Sequence, residues 1–88
     1  MRSVNATAAS FGASHLILQA GAELPFGARV ELELPQVRWT TSPPVGGIVR
    51  WISGEGVGVQ LDRPGPKAVW AMRHLRGKRA PVVVRVPT

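Results

Sequence analysis

Apolar and polar residues alternate most regularly between Ala28 and Leu34, where Val30, Leu32 and Leu34 fall on one side and Arg29, Glu31 and Glu33 on the other. A period of two marks a strand with one face on a core and one in water, so a strand is predicted here. Val57, Val59 and Leu61 repeat the pattern after Ser53-Gly54-Glu55-Gly56, a turn that makes a hairpin with the strand predicted over Val45 to Ile52. His15-Leu16-Ile17-Leu18-Gln19 is a short apolar run closed by the Pro- and Gly-bearing stretch 20–27, which reads as a strand followed by a connecting turn. Val4 to Phe11 is small and polar without a strong period and reads as a weak first strand ending near Gly12. Val37 to Thr41 reads as a continuation past a bend at Pro35, with pairing stopped by Ser42-Pro43-Pro44.

The period then changes. Ala68, Met72 and Leu75, joined by Val69 and Ala71, recur at helical spacing behind Pro66, a residue favoured in a first helical turn, and predict one helix over about 65–76. Gly77 is placed to cap it, and Arg73, Arg76, Lys78 and Arg79 complement the negative end of its dipole. Val82-Val83-Val84-Arg85-Val86 reads as one more strand, an edge so apolar that it needs a sheet or a second chain to pair with. The whole is mostly β, a small barrel or sandwich with a single helix.

The 88 residues allow one small domain, and with 44% hydrophobic and 18% charged residues the composition is that of a folded chain. No apolar run approaches the length of a membrane span and no leader-like segment opens the chain, so it reads as soluble and cytoplasmic. Without cysteine it has neither a disulfide framework nor a thiolate metal site, and so small a core rests on apolar burial or on a partner, which makes a homo-oligomer an expectation. The net charge of +6 is uneven: residues 1–62 carry four arginines against five acids, while residues 63–88 carry seven basic residues and no acid. Such a segment suits an anionic partner or is simply solvated.

Catalytic chemistry finds little support. Two histidines, one aspartate and no cysteine give neither a triad nor a metal-ligand spacing, so the chain reads as a non-enzyme without a cofactor. His15 reads as a strand-edge residue and His74 as a solvated one. Gly54-Glu55-Gly56-Val57-Gly58 looks like a phosphate-binding loop, but a strand follows it where such loops need a helix. Trp39, Trp51 and Trp70 either stack bases beside the basic tail or, more simply, fill the core.

Leu16-Ile17-Leu18, Glu23-Leu24-Pro25-Phe26-Gly27, Val30-Glu31-Leu32-Glu33-Leu34, Gly47-Ile48-Val49-Arg50-Trp51 and Gly56-Val57-Gly58-Val59-Gln60-Leu61 together resemble the scaffold segments of PilZ domains. The resemblance covers roughly residues 8–76. It implies a small six-stranded β-barrel with a C-terminal helix over residues 1–76, followed by a basic segment 77–88 with its edge strand as an extra terminal strand. It also implies a cytoplasmic bacterial signalling module, since many members bind cyclic di-GMP through [DN]-x-S-x-x-G and an upstream R-x-x-x-R. Counting back from Gly27 puts the three key positions of the first motif at Ser10, Gly12 and His15, none of which matches; a second register places Asn5, Thr7 and Ser10 there. The arginine pair is absent, with only Arg2 ahead of the motif region. Bidentate arginine contacts are worth roughly 1–3 kcal/mol each, so losing two implies an affinity loss on the order of 10² to 10⁴.

Three readings follow. The first is a non-enzymatic adaptor of PilZ type, degenerate in the cyclic di-GMP motif and acting through protein contacts with an effector or a second copy, by strand addition at Val82 to Val86 or by its sheet face. The second is a cyclic di-GMP receptor using Arg2, Arg76 and Arg79 with Ser10, Gly12 and His15. The last is single-stranded nucleic-acid binding.

Overall fold

The alternation of Val30 and Leu32 with charged neighbours does build a strand, and five others join it. The computed structural model describes residues 2–19 and 24–87, so positions 20–23 of the expected turn lie outside the described residues. Strands β1 (Arg2–Phe11), β2 (His15–Gln19), β3 (Arg29–Glu33), β4 (Val45–Ser53) and β5 (Gly56–Leu61) precede the helix α1 (Pro66–Leu75), and β6 (Ala80–Val86) follows it. All neighbouring strands are antiparallel, and the circuit β1-β2-β5-β4-β3-β6 closes into a six-stranded barrel.

The interior is filled by the inward member of each alternating pair. Leu16, Leu18, Leu32, Val49, Val59 and Val84 are fully buried, and Ala68, Ala71, Met72 and Leu75 lay one face of α1 against the same core. Each fully buried leucine or valine stabilises the barrel by roughly 1.5–3 kcal/mol relative to exposure. The helix starts at Pro66 without a side-chain cap and ends where Gly77 takes φ 77°, a left-handed conformation that costs glycine little, and Lys78 N–H donates to the Leu75 carbonyl.

Four expectations are corrected. The apolar run Val82 to Val86 is no free edge of a separate 77–88 segment: β6 pairs with β1 from Arg2↔Val86 to Ala8↔Ala80 and with β3 from Glu31↔Arg85 to Glu33↔Val83. Both partners would otherwise present a row of unpaired amides and carbonyls, and one strand between them satisfies both. Arg85 clasps the seam, its guanidinium 2.7 Å from Glu33 and 3.6 Å from Glu31. The first strand is ten residues long rather than a weak Val4–Phe11, because β6 ladders it from Arg2 to Ala8 and β2 takes over from Ala8 to Phe11.

Residues 37–41 form no continued strand. Val37 and Thr40 exchange two backbone hydrogen bonds of 3.0 and 2.9 Å around Arg38 and Trp39, which take φ 47° and 68°, a two-residue turn of type I′. Nor do the tryptophans fill the core: Trp39 is 93% and Trp51 41% exposed, and Trp70 packs on the core only in part. For Trp51 the cause is a bulge between Val49 and Trp51, which turns its side chain from the inward to the outward face.

Candidate functional site

Cross-strand partners share a face, so the register lays out the barrel's outer surface. One row runs Ser10, Ile17, Gly58, Trp51 across β1, β2, β5 and β4, and the next runs His15, Gln60, Ile48. Gly58 is where β5 lets an indole come close: a Cβ built there would run into Trp51 Cε2, so the ring lies directly on the backbone of β5. The His15 imidazole meets that indole edge-on with centroids 5.9 Å apart. Its other neighbour is Gly12, whose N–H donates to the His15 carbonyl at 2.8 Å and whose absent Cβ leaves the space the imidazole fills. Beside them the Arg50 Nε–H donates to Gln60 Oε1 at 3.2 Å.

Three of the residues singled out from sequence are therefore neighbours. Ser10, Gly12 and His15 surround the tight connection between β1 and β2 on one outer face. Arg2 is not with them. It pairs with Val86 at the opposite end of β1, eight residues from Ser10, or roughly 25 Å at about 3.3 Å per residue. Arg76 and Arg79 precede the start of β6, whose Ala80 pairs with Ala8, so they stand at the same end of the barrel as Ser10.

Sequence reading missed Arg50, Trp51 and Gln60 as members of this face. A signal was present in Gly58, a glycine at an outward position of a strand whose inward positions are all branched, which marks a close approach. Chemically the face offers two aromatic rings, a guanidinium and a carboxamide, a set suited to stacking and hydrogen bonding. Among the described residues no cluster of three or more His, Cys, Asp or Glu is arranged to hold a metal ion, and no helix is long and apolar enough to cross a membrane. Comparison with protein-family models, curated proteins and solved structures returns no match to this chain.

Proposed function

We propose that this chain is a non-enzymatic adaptor of PilZ type, degenerate in its cyclic di-GMP motif, that works by docking a protein on its outer face. The observation that carries this reading is the His15–Trp51 pair: the surface at the motif positions is occupied by the chain's own imidazole and indole. The closed six-stranded barrel is compatible with it, and the segments quoted from the sequence supply the family likeness. Barrel closure removes strand addition at β6 as the means of docking, which leaves side chains on the outer face. Trp51 and Arg50 are of the residue types that anchor protein interfaces. Titration calorimetry with cyclic di-GMP at low salt, with GTP as control, tests the degeneracy. No saturable heat is expected up to about 1 mM, and micromolar saturation would overturn the adaptor reading.

The receptor reading has one observation in its favour, the gathering of Ser10, Gly12 and His15 with Arg76 and Arg79 at one end of the barrel. Under it, a double Arg76→Ala, Arg79→Ala change abolishes the nucleotide heat while Arg2→Ala leaves it intact.

A further inference from the structure

We infer that the helical end of the barrel is a binding surface for single-stranded nucleic acid, with Trp39 and Trp70 as base-stacking stations. This surface is built from connections rather than from the strands β2, β5 and β4, and the proposal does not depend on the adaptor reading.

Topology concentrates charge there. In an antiparallel barrel the connections β1–β2, β3–β4 and β5–α1–β6 all lie at one end, and between them they carry seven of the eleven basic residues. Arg38 stands on the β3–β4 turn, Arg63 and Lys67 at the start of α1, Arg73 in its last turn, and Arg76, Lys78 and Arg79 after it. The two acids of that end are engaged, Asp62 facing Arg29 at 3.8 Å and Glu33 held by Arg85 at 2.7 Å. Lys67 sits in the first turn of α1, where the helix dipole disfavours a cation, so its charge is not explained by helix stability.

Aromatic groups and hollows are interleaved with these cations. Trp39 projects from the two-residue turn beside Arg38 and is 93% exposed, lining a hollow with Gln36 and Arg38. Next along the chain, Thr41, Ser42, Pro43 and Pro44 form with Lys67, Leu34 and the Arg85-paired Glu33 a hollow of about 620 Å³. Ser42 is buried there with no hydrogen-bond partner for its hydroxyl among the described residues. One residue before Lys67 begins a second hollow of about 490 Å³, lined by Pro64, Pro66, Val69, Trp70 and Arg73. Trp70 lies against His74 with ring centroids 4.2 Å apart and planes tilted by 47°.

Cations alternating with aromatic surfaces are what a single strand requires, phosphates meeting the former and bases the latter. A bilayer is the poorer fit: it takes apolar residues projecting to one depth, and it cannot enter hollows between a loop and a helix. A folded duplex gives Trp39 no base face to stack on.

The test uses fluorescence anisotropy of the full chain with a labelled oligothymidylate of about 12 nucleotides, within the range of single-strand site sizes. Saturable binding is expected, weakening steeply as salt rises. Lys67→Gln with Arg73→Gln should lower the log–log salt slope by about 1.4 and the affinity about 25-fold at 0.1 M salt, from roughly 0.7 per phosphate contact. Trp39→Gly, which the turn accepts, should weaken binding by about 5- to 150-fold while the chain stays folded. Phe26→Ala, exposed in the β2–β3 connection at the other end, should change nothing. Absence of saturable binding at low salt overturns the proposal, as does binding indifferent to Trp39→Gly. So does binding confined to phosphatidylserine vesicles offered in parallel.

Discussion

Replacing Trp39 by glycine should make the protein more stable, although it removes the largest side chain in its loop. Arg38 and Trp39 both hold left-handed backbone, at φ 47° and 68°, which costs a residue with a Cβ roughly 1–2 kcal/mol. Trp39 is 93% exposed, so burial of its ring returns almost nothing against that cost. Glycine adopts this conformation freely but loses about 0.5–1 kcal/mol more backbone entropy on folding. The difference leaves a net gain of about 0.5–1 kcal/mol, or about 2–8 °C in Tm for a domain of this size. Arg38→Asn added to it supplies the Asn-Gly pair that type I′ turns favour and should raise Tm further. Thermal melting followed by far-UV circular dichroism reads the effect, and urea denaturation should show a higher midpoint with an unchanged slope. A Tm that falls, or stays level in both variants, would refute the strained turn and mean that the Trp39 ring is held by contacts in solution.

Other perturbations test other joints of the structure. Gly58→Ala drives a Cβ into Trp51, so the indole must leave β5; a loss of about 1–3 kcal/mol is expected, with a shift of the His15 ring resonances in NMR as their edge contact breaks. Ser42→Ala removes a buried hydroxyl without a partner among the described residues and should be neutral or stabilising by up to about 1 kcal/mol in urea titration. Arg85→Met cuts both ion pairs at the β3–β6 seam, but the partners are two-fifths exposed, so a loss of only about 0.5–1 kcal/mol is expected, shrinking toward zero near 1 M salt.

How much of this was readable beforehand differs from strand to strand. β3 and β5 announce themselves because each has one face in the core and the other in water, and the alternation records that directly. β1 carries no such record: apart from Val4, Arg2 to Thr7 is polar or small, and its strand conformation comes from the ladder to β6, a contact remote in sequence. The partners of β6 were equally out of reach, since the four valines of Val82 to Val86 say that a strand is buried and not which strands bury it. Trp51 was misread for a local reason, because one bulge residue at the end of β4 reverses every face assignment after it. Arg38-Trp39 was misread for the opposite reason: a type I′ turn normally declares itself through Asn or Gly, and here two residues that resist the conformation adopt it. Of the site residues, Ser10, Gly12 and His15 were placed together by motif spacing alone, whereas Arg2 shows that proximity in sequence to a motif means little along a ten-residue strand.

Barrel closure also changes the meaning of the charge asymmetry. Read along the chain, seven basic residues without an acid look like a solvated tail, but β6 must enter between β1 and β3 antiparallel to both, and so it starts where they end. The acid-free segment from Arg63 to Arg79 is thereby wrapped across a single end of the barrel, the one from which the β3–β4 turn carries Arg38 and Trp39. A gradient in sequence becomes a pole in space. Because the pole consists of connections while the His15–Trp51 face consists of strands, the two answer to different perturbations: salt and loop substitutions act on the first, and packing changes such as Gly58→Ala act on the second. A ligand lost through one set and indifferent to the other is thereby assigned to its surface.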